Sequence, residues 1–266
     1  MKVLQILPQL NIGGVERGTL DLSKALIHKG HQSFVISGGG VLVDELTQCG
    51  AKHYEIPVHI KSLRTLSLAK RLSETISSID PDIVHVRSRM PAWVNYRAFK
   101  MLQKKPLLVS TFHGLYSFPI YSKVMSFVDH SIAISKTVER YILENYKLDK
   151  GNITVIPRGC DPLEFNNEVI NPVDKANIIE EFPQIVGKKV LTIPGRITKW
   201  KGVAEFIDLL SLLDDNYHGL IVGPTAKSKK KYLNKLQYKV SSLNLEDKIT
   251  FTGSRRDIAN IYKISD

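Results

Sequence analysis

Short apolar runs alternate along the whole chain with longer stretches of helical period. Val3–Leu7, Ser33–Ser37, Ile83–Val86, Leu107–Thr111 and Ser131–Ile134 are rich in β-branched and other apolar residues and predict strands. Between and after them, segments near 15–29, 41–49, 65–79, 91–104 and 136–147 repeat their apolar positions at helical spacing. In the first of these Leu22, Ala25 and Leu26 fall on one face, and Gly30 supplies the stop. Strands separated by helices need crossover connections, which predicts a mostly parallel sheet covered on both faces.

A second series follows a polar, irregular stretch from about Asp161 to Gly187. It predicts strands at 189–194, 218–222 and 248–252, with helices at 202–213, 229–243 and 255–263. Two such series predict an α/β chain of two Rossmann-like domains facing a cleft. The expected domains are 1–165, a linker over 166–187, and a second domain over 188–266. The first is expected to be a complete parallel-sheet domain. The second has three βα units, fewer than a complete domain of this kind, and Ile264-Ser265-Asp266 falls where a further strand is due. A C-terminally truncated domain is therefore expected.

Composition adds limits. The 266 residues are 43% hydrophobic and 8% aromatic, as in a globular protein with a real core. No apolar stretch approaches the roughly 18 residues of a spanning helix. The start, MKVLQILPQLNIGG, lacks a small-residue cleavage site and reads as a first strand entering a glycine loop. A cytoplasmic location is expected. Cys49 and Cys160 make neither a disulfide framework nor a metal cluster, and the eight histidines carry no zinc-site spacing.

The formal net charge of +11 calls for an anionic partner. The basic positions are spread out: Lys61, Arg64, Lys70 and Arg71, then Arg87, Arg89, Arg97, Lys100, Lys104 and Lys105, then Lys227 to Lys231. The last run reads as a solvated helix start. Nucleic acid, an anionic membrane surface and a phosphorylated lipid all fit this balance. No helix-turn-helix, RNA-binding aromatic motif or zinc finger accompanies it.

Candidate chemistry sits where strands end. Leu191–Gly202, LTIPGRITKWKG, places Arg196 and Lys201 between the end of a strand and the start of a helix. Free backbone N–H groups and the helix dipole favour an anion there, and two cations suit a diphosphate; a solvated basic turn is the alternative reading. Near the N-terminus, PQLNIGGVERG puts Gly13 and Gly14 between the first strand and the first helix, without the GxGxxG spacing of a dinucleotide site. His113, in FHG, stands just past the end of a strand, placed to donate to a ligand or merely to cap backbone groups. Asp80-Pro81-Asp82 matches a metal-binding DxD pattern but precedes its strand, so it reads as a helix stop. The aromatic-rich stretch from Tyr116 to Val128 reads as core or as a membrane-interface element.

Taken in order, these segments resemble family 4 of the glycosyltransferases, retaining nucleotide-sugar enzymes of GT-B fold, and among them bacterial lipopolysaccharide-core enzymes. GRITKWKG is similar to the family's donor-phosphate motif, GGVER to its glycine loop, and FHG to its (T/V)xHG segment. Ile132–Ser135 is similar to its strand ending in serine, Val155–Asp161 to its VIPNGVD crossover, and Ile249–Gly253 with Arg256-Asp257-Ile258 to the strand and turn beneath the nucleotide base. Two positions depart within the crossover: Arg158 replaces the commoner asparagine and Cys160 the commoner valine. The family's two glutamates, separated by seven residues in the second half of the donor domain, have no counterpart at that spacing here.

The resemblance implies transfer of a hexose from a UDP- or GDP-hexose donor to a lipid-linked or lipopolysaccharide-type saccharide, with retention. It implies no cofactor, no metal and no nucleic-acid partner, and a peripheral place on the anionic cytoplasmic membrane surface. Arg196 and Lys201 would hold the donor diphosphate with help from Gly13 and Gly14, Gly253 would lie near the base, and His113 would orient the sugar. The expected catalytic set is His113, Arg196 and Lys201, with truncation impairing turnover. Two alternatives stay open: a non-catalytic basic module binding nucleotides or nucleic acid, and a nucleotide-sugar epimerase.

Overall fold

Each of the two βα series forms its own sheet. The structure, a computed structural model, describes residues 1–60, 63–116, 119–166 and 168–266. Lys61 and, in the aromatic-rich stretch, Ser117 and Phe118 lie outside the described residues, as do the side chains of Arg64 and Lys227. Contacts divide the chain into two compact units, Met1–Gly159 and Cys160–Asp266.

In chain order the first unit holds β1 (Lys2–Ile6), α1 (Gly14–His28), β2 (Gln32–Ser37), α2 (Val43–Gln48) and β3 (Lys52–Glu55). It continues with α3 (Ala69–Ile79), β4 (Ile83–Val86), α4 (Arg89–Phe99), β5 (Leu107–Phe112), α5 (Pro119–Ser122), β6 (His130–Ala133), α6 (Lys136–Asn145) and β7 (Ile153–Val155). All seven strands run parallel in the order β3-β2-β1-β4-β5-β6-β7. The order reverses between β1 and β4. In open parallel sheets the connections leaving such a pair diverge to opposite faces, opening a crevice at the carboxyl ends of the strands.

Apolar residues cover both faces of this sheet. Leu4, Ile6, Phe34, Ile36, Val84, Val86, Leu72 and Ile76 join one core, while Leu7, Leu20, Val35 and Leu46 form a second beneath α1 and α2. Asp80, in left-handed conformation, ends α3 and pairs with Lys104 at 2.8 Å. Asp82 accepts the Lys2 N–H at 2.7 Å. Both acids of the DxD pattern are thus engaged in structural contacts, Asp80 with a lysine side chain and Asp82 with a backbone N–H. Within the aromatic-rich stretch Val124 and Met125 are buried, whereas Ile120 is 90% exposed.

The second unit holds α7 (Pro172–Glu181), β8 (Lys189–Pro194), α8 (Val203–Leu212), β9 (Tyr217–Val222), α9 (Lys230–Ser242), β10 (Ile249–Gly253) and α10 (Ile258–Lys263). Its three strands are parallel, in the order β10-β9-β8. Ile207, Leu210, Leu236 and Val240 from α8 and α9 pack with Ile221 on one face. On the other face Leu220 and Val222 meet Ile178 of α7 and Ile261 of α10.

That second core corrects the expected linker. Residues 166–187 were expected to be irregular, yet α7 occupies much of the span. The Asn171 side chain caps it by accepting the Val173 N–H, and Pro172 takes its first turn. Ile178, Phe182 and Ile185 are buried against the sheet. Arg255 then fastens the end of α7 by pairing with Glu181 at 2.5 Å and Asp257 at 2.6 Å.

The carboxyl edge of the second sheet is glycine-lined for a steric reason. Gly223, after β9, has φ 151° and donates its N–H to Gly253 O at 2.7 Å. A Cβ on Gly223 would overlap the Gly195 carbonyl oxygen and stand 2.6 Å from its carbon. Two backbones therefore touch where a side chain would otherwise lie. Gly223→Ala should destabilise the chain by about 3 kcal/mol, through strain and forced separation of the loops. Urea unfolding followed by circular dichroism would measure it, and a loss below about 1 kcal/mol would show that the loops move apart freely.

Candidate functional site

At the switch point of the larger sheet, a polar network replaces the apolar packing found elsewhere. Gln5, fully buried in the middle of β1, donates to Thr19 O at 3.1 Å and to Ser23 Oγ at 3.0 Å, both on α1. Its Oε1 accepts from Arg87 Nη1 at 2.6 Å, and the same nitrogen reaches Gly18 O at 3.3 Å. Arg87 directly follows β4 and is only 6% exposed. It makes no ion pair among the described residues. Burial lowers its pKa to about 10, with the Arg158 charge adding to the effect and Glu16 and Asp21 opposing it.

His113 follows β5 and Arg158 follows β7. Arg158 donates to the Gly14 carbonyl and, through Nη1, to His113 Nδ1 at 3.3 Å. Gly14 and His113 are thus brought together by a residue that entered the sequence reading only as a departure from a motif. Gly13, in extended conformation, precedes α1 without a side-chain cap. The Glu16 carboxylate folds back into the space a side chain on Gly13 would need, so an acidic group already faces this helix start.

The electrostatics of His113 follow from its neighbours. Burial, then the Arg87 and Arg158 charges, lowers its pKa from 6.5 to about 3. The ring is therefore neutral at pH 7. A guanidinium only donates, so Nδ1 accepts from Arg158 and the ring proton resides on Nε2. That Nε2 is buried and has no partner among the described residues. His85, in β4, is buried and bonded to Thr111 Oγ1 at 2.7 Å. Its pKa is pushed far down by burial, then by Arg87 and His113.

In the second unit the carboxyl edge carries the other expected residues. Arg196 follows β8 and is exposed, with no side-chain partner among the described residues. Helix α8 begins at Val203, after a tight turn over Lys199–Lys201 and left-handed Gly202. The Lys201 stem crosses Gly195, with Cδ and Cε 3.5 Å from where a Cβ would stand. Its Nζ lies 4.8 Å from the Trp200 ring centroid, and that ring is 71% exposed. Gly253 reaches the same edge through its bond from Gly223. Arg196, Lys201 and Gly253 therefore gather at one edge of the smaller sheet, and Gly13, Gly14 and His113 at one edge of the larger.

Comparison with known proteins places the chain in a family. The profile of Glycosyltransferase Family 4 covers residues 12–163, more than half of the chain, and that of Glycosyl transferases group 1 covers residues 174–266. The chain belongs to glycosyltransferase family 4. A solved glycosyltransferase of Rickettsia africae ESF-5 superposes with a TM-score of 0.83 at 34% identity, over 100% of this chain and 71% of that one. The Anabaena protein Alr3699/HepE, solved in complex with UDP and glucose, superposes with a TM-score of 0.85 at 19% identity, over 100% of this chain and 73% of that one. This second likeness shows the shared GT-B fold. A mannosylfructose-phosphate synthase of Agrobacterium fabrum is 31% identical over 148 residues, 52% of this chain. The chain spans 31% of that synthase's length. Among the described residues no helix is long and apolar enough to cross a membrane.

Sequence reasoning missed Arg87, Gln5 and His85. One signal was present: Gln5 interrupts the apolar run VLQIL, and a polar residue at the centre of a doubly covered strand needs a buried partner.

The histidine chemistry sets a pH dependence. His113 takes up a proton near pH 6.5 when unfolded but only near pH 3 when folded. Between those values the unfolded chain binds more protons, so stability falls as pH drops through this window and is level above it. The slope should reach about 1.4 kcal/mol per pH unit for each histidine so held. Urea unfolding between about pH 7.5 and pH 5 should show the loss, and His113→Gln should reduce its slope. An unchanged slope in that variant would mean that His113 does not carry the effect.

Proposed function

We propose that this chain serves glycosyl transfer from a nucleotide sugar, a UDP- or GDP-hexose, to a lipid-linked or lipopolysaccharide-type saccharide, with retention of configuration. The observation that carries this reading is the pairing of an unpartnered Arg196 with Lys201, held across Gly195 at a glycine-lined strand edge. The UDP seen with the Anabaena protein supports a nucleotide sugar as donor. The saccharide acceptor rests on the sequence resemblance, and the +11 charge suits an anionic membrane surface.

Residue roles follow from charge and donor geometry. Arg196 and Lys201 neutralise the departing diphosphate, the step at which negative charge grows. Backbone N–H groups at Gly13 and Gly14 assist, and Gly253 lies by the base. His113 donates its Nε2–H to an oxygen of the transferred sugar. The acceptor hydroxyl attacks the anomeric carbon on the face the diphosphate leaves, and no side chain forms a covalent intermediate. No metal and no cofactor is assigned a role.

In a version that carries a complete donor domain, Arg196→Ala should lower transfer by about 100-fold, the loss of roughly 3 kcal/mol of charge stabilisation. Lys201→Ala should act similarly. The double variant should lose less than the product, because both cations serve one anion. Transfer from UDP-glucose and GDP-mannose, with calorimetry of UDP and GDP, measures both effects. An unchanged kcat/KM in folded Arg196→Ala would remove its assigned role. Conversion of the free nucleotide sugar without acceptor would favour an epimerase, and salt-dependent binding of RNA or DNA without nucleotide-sugar binding would favour a nucleic-acid module.

A further inference from the structure

The edge of the larger sheet holds more positive charge than the proposed sugar contact at His113 requires. Arg87 and Arg158 come from the ends of different strands, yet their guanidinia reach one point. A side chain begun at Gly18 would stand 2.6 Å from Arg158 Nη2 and 3.3 Å from Arg87 Nη2. Neither has a carboxylate within ion-pairing distance among the described residues. The nearby acids are otherwise engaged: Asp21 pairs with Arg17 at 3.4 Å and Glu16 lies against Gly13. Arg89, two residues beyond Arg87, stacks on Tyr116 and Tyr121 at 4.8 and 5.4 Å.

The cluster is also a set of donors short of acceptors. Arg87 Nε is buried without a hydrogen-bond partner among the described residues, and so is His113 Nε2. Arg158 uses its bonds on Gly14 O and His113 Nδ1, which fixes the His113 proton on Nε2. Arg87 is buried without a counter-charge, which is costly, and Arg158 stands exposed beside it, so the pair is best satisfied by an oxyanion. Two guanidinium forks match a dianionic tetrahedral group better than a single carboxylate.

We infer that Arg87 and Arg158 form a phosphoryl-binding site on the first unit, beside the sugar contact assigned to His113 and separate from the diphosphate contact assigned to Arg196 and Lys201. Its ligand is the phosphoryl group of a substrate, either a phosphorylated acceptor or the donor itself. Arg158 supplies both a fork for the anion and the hydrogen bond that sets the His113 tautomer.

Calorimetric titration of the whole chain with inorganic phosphate tests this. Arg158→Asn should weaken phosphate binding by about tenfold or more, as expected for a lost charge-assisted contact. The Arg196→Ala/Lys201→Ala double variant should leave phosphate binding intact while losing UDP, so failure of the donor reading and failure of this one look different. On adding phosphate, the ¹⁵N and ¹H shifts of the His113 Nε2–H should move in the wild type and stay in Arg158→Asn. Arg87→Gln should also lose binding. Should that variant not fold, Gly18→Ala crowds Arg158 Nη2 without altering charge and should weaken phosphate in its place. Titration with saturating UDP present names the source: competition identifies the donor phosphate, independent binding a phosphorylated acceptor, and either result keeps the site. Absence of saturable phosphate binding, unaltered binding in Arg158→Asn, or loss only in the Arg196/Lys201 variant would overturn it.

Discussion

A guanidinium buried without a carboxylate sets the architecture at the carboxyl edge of the larger sheet. Arg87 is 6% exposed, and its direct partners are an amide oxygen on β1 and a carbonyl on α1. Hydrogen bonds from a charged donor contribute about 1.5–3 kcal/mol each, so these two neutral partners offset only part of the desolvation of the charge. Gln5 must remain in place, because its amide both receives Arg87 and holds Thr19 and Ser23 of α1. Ser33 extends the network by donating to Ser23 Oγ at 2.9 Å. The result ties β1, β2, β4 and α1 at the point where the strand order reverses, the place in a parallel sheet where ligands gather.

The second unit reaches a receptive edge by different physics. No buried charge organises it; close backbone approach does. Gly195 donates to Val222 O at 2.8 Å and Gly223 to Gly253 O at 2.7 Å, so the ends of three strands meet through their main chains. With no Cβ atoms in the way, the Lys201 stem lies across Gly195 and its ammonium rests near Trp200. An exposed indole beside a lysine holds the charge in place at little desolvation cost. Arg196 remains in solvent, where it is free to move onto an anion. The first unit therefore presents a buried, fixed guanidinium at Arg87 beside the exposed Arg158, and the second unit exposed, adjustable cations.

Most of the elements were legible because strands covered on both faces read as continuous apolar runs. The strands that escaped were β3 and β7, whose sequences are KHYE and ITV. Both are edge strands, and an edge strand half open to solvent needs little apolar content. Helix α7 was lost inside a polar stretch because it buries few residues, although Asn171-Pro172 was a start signal in plain view. Gly13, Gly14, His113, Arg196 and Lys201 stood out as candidates because each follows a predicted strand. Arg87 also follows one, but its meaning depends on β1 lying beside β4, a pairing of segments some 80 residues apart. Local pattern carries no information on that neighbour. Arg158 was visible only as an unusual residue in a familiar motif; the contact that gives it a role spans 144 positions to Gly14.

The state of His113 narrows what chemistry the first unit can supply. With its pKa lowered to about 3, the ring has no proton to give as an acid near neutral pH. Its Nδ1 lone pair is taken by Arg158, so it is not free to accept one as a base either. General acid–base catalysis works best with a group poised near the working pH; His113 is held far from it. What remains is a hydrogen-bond donor of fixed direction, kept in one tautomer by a neighbouring cation. In the proposed reaction the acceptor's proton must then leave by way of the departing phosphate rather than through this histidine. Such a transfer needs the phosphate oxygen and the acceptor hydroxyl on the same face of the sugar, the geometry that retention demands. Rigid placement of the sugar, not proton exchange, is the contribution a histidine in this electrostatic setting can make.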